Sequence, residues 1–208
     1  IMWARVKASQ VIEIINGAKA MTIDGTQYPA SIFKIWSAAD LKAKGLYSYT
    51  ETGHKDTFYY TMGAISYTVD DSAGTVVGTY ASTPKGMDDV NWTQSEIDAG
   101  SAPDGATTDT VKTKGLKTLW KEKIKANAAA LIAPYDWYSL RKAQAGTAIP
   151  SNINTYMNAV RTASGVNEAN VASTANVTQM IERSQDSYDS EGVWTANSVY
   201  NEWPTPLD

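Results

Sequence analysis

Two pairs of adjacent carboxylates, Asp70-Asp71 and Asp88-Asp89, are the densest acidic groups in the chain. Paired carboxylates suit metal binding or general acid/base work. Both pairs lie in Gly-containing stretches where Asp commonly bonds its own backbone, so the expectation for each is a turn. His54 is the only imidazole and sits in the polar turn Gly53-His54-Lys55-Asp56, with no partner identifiable in the sequence. The chain has no Cys. That leaves no disulfide, no thiol nucleophile and no cysteine metal site, and a lone turn His gives no basis for a His-dependent triad. No phosphate-cradling Gly loop or His-based metal motif is present. The expectation is a chain that is not an enzyme, with no catalytic, cofactor-binding or metal residues and no cofactor. A glycan hydrolase is an alternative, for which an Asp or Glu pair would have to converge in space.

Trp137, Tyr138 and Arg141, within Asp136-Trp137-Tyr138-Ser139-Leu140-Arg141-Lys142, suit a different chemistry. Trp, Tyr and Arg dominate the energetics of protein interfaces. A Trp at helical spacing is equally at home in a core, and replacing a fully buried Trp137 with Ala would cost roughly 3–5 kcal/mol. Twelve Tyr and seven Trp against two Phe is a composition of large rings with polar handles, suited to interfaces or to half-buried packing. Trp194, Tyr200 and Trp203 place more such area in a polar, Pro-broken tail, where it must either pack back on the chain or reach a partner.

At 208 residues and 43% hydrophobic the chain can build a real core. A net charge of −4 without a run of Lys or Arg argues against nucleic acid as the partner. No apolar run has the length of a membrane span, and Ile1-Met2-Trp3-Ala4-Arg5 lacks the basic-then-apolar order of a secretory signal. A soluble protein without a membrane partner is expected. Ile1 stands ahead of Met2, so either Met2 is the initiator or the chain is trimmed.

Met2 to Val6 and Val11 to Ile15 read as strands joined by a hairpin at Lys7-Ala8-Ser9-Gln10. Asp24-Gly25 between Thr22-Ile23 and Thr26-Tyr28 predicts another. Ser37 as N-cap, Asp40 in the first turn and Gly45 at the end predict a short helix over 38–44. Strand character resumes at Leu46 to Tyr49, Phe58 to Met62, Ala64 to Val69 and Thr75 to Tyr80. Thr83 to Asp109 breaks all periodicity with Pro, Gly and Asp. From Val111 a helical period begins, with Leu116, Leu119, Trp120, Ile124, Leu131 and Ile132 on one stripe, ending before Pro134. Asp136 is placed to cap a second helix with the stripe Trp137, Leu140 and Ala143, ended by Gly146. Ser151 is placed to cap a third carrying Ile153, Tyr156, Met157 and Val160. The three stripes should pack on one another. Short helices are expected within 167–172 and 177–183. The fold class is α+β: a small antiparallel β domain with one short helix over 1–82, a linker over 83–110, a helical domain over 111–184 and an extended, aromatic-pinned arm over 185–208.

Pro134-Tyr135-Asp136-Trp137-Tyr138 through Arg141, then Ile149-Pro150, Tyr156, Val160-Arg161 and Glu202-Trp203-Pro204, resembles the C-terminal region of bacteriophage tail-fibre assembly proteins and related fibre proteins. Those show Thr-Asp-Trp, a following Arg, a Tyr-Arg-x-x-Leu-Arg helix and a terminal Trp-Pro. Tyr28-Pro29 to Trp36-Ser37, Leu41 and Gly45-Leu46-Tyr47 also resemble phage proteins carrying this tail. Tyr135 stands where the family has the capping Thr, and Asn158 marks the loss of the third helix's first Arg, leaving Arg161 as the matching basic residue. The resemblance implies a chain that binds a trimeric tail fibre and assists its assembly in the host cytoplasm, and that either leaves or stays in the virion tail. A permanent fibre or baseplate subunit is the alternative. The implied partner-binding residues are Trp137, Tyr138, Arg141, Tyr156, Arg161, Trp194, Tyr200 and Trp203. The implied partners are the fibre or other tail components, with a homo-oligomer as a further state.

Overall fold

The structure, a computed structural model, describes residues 2–207. Ile1 and Asp208 lie outside the described residues, and with them the question of where the chain starts. The chain divides into two compact units between Pro84 and Lys85.

The first unit runs β1 (Met2–Lys7), β2 (Gln10–Asn16), β3 (Met21–Ile23), β4 (Thr26–Tyr28), α1 (Ile32–Ile35), α2 (Ala38–Ala43), β5 (Leu46–Thr52), β6 (Tyr60–Asp70) and β7 (Thr75–Pro84). Both expected hairpins form. Ala8 and Ser9 take positive φ between β1 and β2, and Asp24-Gly25 does so between β3 and β4, the two-residue turn that matches strand twist. Ser37 and Asp40 form a reciprocal capping box at α2, satisfying two otherwise orphaned N–H groups.

The main sheet has the order β2-β1-β5-β7-β6. It is antiparallel except at β5–β7, which pair in parallel, a departure from the expected all-antiparallel sheet. β6 causes this: it runs back beside β7 as a hairpin and delivers β7 to β5 in β5's own direction. Period-2 alternation then divides the strands between two cores. One holds Ile15, Ile23, Ile32, Phe33, Leu41 and Leu46 with Trp3, under α1, α2 and the β3–β4 hairpin. The other holds Ala4, Val6, Tyr47, Tyr49 and Val76 with Ile14, Ile65 and Val69. The sheet curls over this second face, so that its edge strands β2 and β6 come into contact.

The second unit runs β8 (Val90–Asn91), α3 (Gln94–Asp98), β9 (Val111–Thr113), α4 (Leu116–Ile132), a 3-10 turn (Ala133–Tyr135), α5 (Asp136–Ala145), α6 (Ser151–Ala172), α7 (Val177–Ser184), β10 (Ser187–Tyr188) and β11 (Trp194–Ala196). The segment read as a linker is built into this unit. β8 pairs with β9, which takes Val111 out of the expected helix and into a strand. The loop before β8 caps α4: Asp89 accepts from Gly115 N at 2.7 Å and from Thr118 Oγ1 at 2.9 Å, and Gly86 and Met87 carbonyls accept from Leu116 and Lys117. Thus Asp89 serves a helix 26 residues away instead of its own turn.

α3 is held by a second capping box, in which Thr93 N donates to Glu96 at 3.0 Å and Glu96 N to Thr93 Oγ1 at 3.3 Å. Lys112 Nζ, stacked 4.8 Å from the Trp92 ring, also bonds Glu96. The Lys112 bond first, and the Thr93 bonds next, lower the Glu96 carboxyl from 4.5 to about 2. Because the folded value is depressed, this support is fully present above about 4.5 and is lost as pH falls through about 2. An NMR titration should therefore show the Thr93 amide and Lys112 ammonium signals moving with a midpoint near 2; a midpoint near 4.5 would mean that the box is open in solution.

α4 packs against α6, and α6 is longer than its sequence signals indicate. It passes through Gly165 to Ala172, burying Ser164, Asn167 and Val171 as well as Ile153, Tyr156, Met157 and Val160. A mid-helix Gly costs about 1 kcal/mol, less than the roughly 1.5–3 kcal/mol from burying Val171 alone. Two expected caps are replaced. Ser151 is the first helical residue, behind Pro150, and Asp136 lies in the first turn of α5 as a charge near its positive end, behind an N-cap Tyr135 whose side chain makes no cap bond. Tyr135 instead packs its ring edge-on to Tyr156, with centroids 5.5 Å apart.

The largest departure is α5, which has no buried residue. Its stripe does not join α4 and α6 because another segment takes that place: Trp203 and Leu207, with Leu131, Ile132 and Tyr135, pack on Ala128, Tyr156 and Val160. The C-terminal arm is the third layer of the helical core.

Candidate functional site

α5 is a ten-residue helix closed at its C-terminal end by Gly146 in the left-handed conformation. Within it, Trp137 and Tyr138 lie side by side, ring centroids 3.8 Å apart and planes inclined by 32°. Arg141 follows them by four and three residues, the spacings that bring helical side chains together. Its guanidinium carbon lies 4.7 Å from the Trp137 centroid and 5.2 Å from that of Tyr138. Each such cation–π contact contributes about 0.5–1 kcal/mol at an exposed site. Arg141 Nε is buried without a hydrogen-bond partner, and no carboxylate pairs with this side chain among the described residues. The guanidinium is thus held in place by ring faces, with its outer N–H groups uncommitted. Trp137 is 50% and Leu140 61% exposed, so an apolar strip flanks the cation.

The other sequence candidates divide sharply. Tyr156 is buried in α6, its phenol pushed up by burial and then by Tyr135. Tyr200 is 1% exposed and hydrogen-bonds Thr174 Oγ1 at 2.5 Å. Trp203 is half-buried in the α4–α6 core and donates its indole N–H to Asn201 Oδ1 at 2.8 Å. These three are packing residues. Arg161 is exposed and donates to Asn158 Oδ1 at 3.1 Å, so the residue at the departed Arg position engages the Arg that remains. Trp194 does not pin the arm: it is 52% exposed on the β10–β11 hairpin, directly across from Tyr188. Of the eight candidates, the structure brings Trp137, Tyr138 and Arg141 together at the surface, and Tyr156 and Trp203 together in the core.

His54 has a carboxylate partner after all. Its Nε2 lies 3.1 Å from Glu51 Oε2, and its ring rests on Tyr80 with centroids 4.5 Å apart. Tyr49 OH donates to the other Glu51 oxygen at 2.9 Å. The signal was present in the strand period, since Tyr49 and Glu51 are two apart and share a sheet face. Burial, and then Glu51, push the Tyr49 phenol well up, and burial also raises that of Tyr80, so both stay neutral. Among the described residues no Ser or Thr hydroxyl bonds His54.

The paired carboxylates are also occupied. Asp70 accepts from Ser72 and Ala73 in its own turn, and Asp71 from Ser9 and from Tyr47 OH, at 2.7 Å for the latter. These bonds hold both carboxyls below their ordinary value. A glycan hydrolase needs one carboxyl raised to serve as acid beside one kept ionised, and Asp70 and Asp71 are instead shifted in the same direction. Asp88 pairs with Lys117 at 3.0 Å, beside the helix-capping Asp89. Among the described residues no three His, Asp or Glu side chains converge as a metal site, and no helix is long and apolar enough to cross a membrane.

Comparison with protein-family models, with characterised proteins and with solved structures finds no match to this chain.

Proposed function

We propose that this chain is a tail-fibre-associated assembly factor of a bacteriophage, binding the fibre through α5 of its second unit. The single observation that carries the binding role is that α5 buries none of its residues, yet presents Trp137, Leu140 and a ring-stacked Arg141 on one short helix. Such a helix gains little burial energy from the rest of its unit, and its composition is that of an interface anchor. The motif resemblance supplies the partner class. α5 contains the Asp136-Trp137-Tyr138 to Arg141 segment of that resemblance, so the exposed surface and part of the motif coincide.

The test is co-expression of the fibre encoded by the same phage with the wild-type chain, with Trp137→Ala, with Arg141→Glu, and alone. Soluble trimeric fibre is expected with the wild-type chain and to fall at least ~10-fold with either variant, the loss typical of an interface anchor. The half-exposed Trp137 carries only part of the cost of a buried ring, so the isolated Trp137→Ala chain should lose about 1 kcal/mol or less of stability. Equal fibre yields in all four conditions would remove the assembly role. Mass spectrometry of washed particles then separates a factor that leaves from one that stays as a fixed-copy virion component.

A further inference from the structure

We infer that α5 and the β10–β11 hairpin form the two halves of a contact between copies of this chain. The hairpin is the second exposed aromatic surface of the same unit. Tyr188 and Trp194 are partners across its strands, and Tyr188, at 60% exposure, lies beside an equally open Val193. Its charge is the reverse of that on α5. Asp186, Asp189 and Glu191 fall within six residues, and no Lys or Arg occurs after Arg183.

Two of these carboxylates are used within the hairpin region. Asp189 Oδ1 accepts from the Glu191 and Val193 amides at 3.0 and 2.8 Å, and Asp186 Oδ1 accepts from Ser198 N at 2.7 Å. The Glu191 carboxylate, exposed at the tip, has no hydrogen bond or ion pair among the described residues. On α5, the cations Arg141 and Lys142 are likewise without a carboxylate partner. One surface therefore offers a free carboxylate beside Tyr and Trp, and the other a fixed guanidinium beside Trp and Leu. Carboxylate and guanidinium bind in a bidentate fork, and ring stacking holds the Arg141 fork ready, which lowers the entropy lost on binding.

The rings of both surfaces stand open within one copy, so neither covers the other there. Contact between them joins the hairpin of one copy to α5 of the next. Such an arrangement is head-to-tail and closes into a ring or continues as a short chain, depending on the rotation between copies. It is independent of the fibre reading. It adds that a second copy and a fibre would compete for α5.

Sedimentation equilibrium of the full chain at low and high salt tests it. Mass should rise above the 22.5 kDa of one chain with increasing concentration, and the rise should weaken with salt, as for an interface steered by charge. Arg141→Glu and Glu191→Arg should each raise the concentration needed for association at least ~10-fold, and the double variant should restore it. Restoration by the double variant shows that both chains fold. A chain that stays monomeric at every concentration, single reversals without effect, or a double variant that remains dissociated would each overturn the contact. Glu191→Arg leaves α5 intact, so fibre solubilisation should survive it. Loss of fibre solubilisation in Trp137→Ala with intact Glu191–Arg141 coupling bears on the fibre reading separately.

Discussion

Tyr200→Ala is expected to lower the stability of the second unit by about 3–5 kcal/mol, the cost of deleting a fully buried aromatic ring. Tyr200 is 1% exposed, packs 5.2 Å from the Trp120 ring, and reaches Thr174 with its hydroxyl. With Thr174 Oγ1 donating its single hydrogen to Asn170 O at 3.0 Å, Tyr200 is the donor and Thr174 the acceptor; with that hydrogen turned to Tyr200 the roles reverse, and Asn170 O keeps Ser173 Oγ and Arg183 Nη1 as donors. Arg183 Nη1 donates to the same Thr174 oxygen at 3.1 Å and to Asn170 O at 3.0 Å, which ties α7 to this node. Tyr200→Phe removes only the hydroxyl and should cost about 1–1.5 kcal/mol. Urea unfolding followed by the helical far-UV signal checks both, since the long helices α4 and α6 lie in this unit. A Tyr200→Ala chain within ~1 kcal/mol of wild type would mean that the arm is detached in solution. The same geometry bears on how function is probed. A chain ending after Ser184 loses Tyr200, Trp203 and Leu207 from its core, so it would unfold the unit and not isolate the arm's role.

Gly45→Ala should destabilise the first unit by about 3 kcal/mol, combining a left-handed backbone with a clash. Gly45 has φ +71° just after α2, and a Cβ there would lie 2.5 Å from the Val6 carbonyl oxygen. That carbonyl cannot swing away. The β1 backbone is pinned on both sides, with Val6 N donating to Gly45 O at 2.7 Å and β1 paired to both β2 and β5. Gly25→Ala is the internal control, because Gly25 has φ +80° with nothing within 4 Å of an added Cβ. It should cost only the conformational share, about 1–2 kcal/mol. Hydrogen exchange resolved over residues 2–84 would read both. Equal losses for the two variants would show that the β1 backbone yields freely and that the close approach carries no energy.

Much of the first unit is legible locally. The two hairpins follow from Lys7 to Gln10 and from Asp24-Gly25, and α2 follows from Ser37, Asp40 and Gly45, because turns and caps are made by residues three or four apart. The parallel β5–β7 pairing is not legible, since it depends on where β6 folds back. At the site, the spacing of Trp137, Tyr138 and Arg141 foretells their stacking but not their exposure. Leu140 belongs to the same apolar stripe, and a stripe does not say whether it will be covered.

By itself, then, the sequence determined the α+β class, most of the helices and tight turns, and which side chains share a face, all consequences of short-range period and capping. Tertiary structure alone decided which faces are buried. Trp203 and Leu207 reach the α4–α6 surface from the end of the chain and displace α5 from it. Asp89 caps α4 across a 26-residue separation, and α6 runs through Gly165 because the buried Val171 lies beyond. Each of these is a competition between distant segments for one surface or one set of N–H groups. The winner is set by the area buried and the bonds satisfied in the assembled unit, and the loser here, α5, is the helix left facing outward.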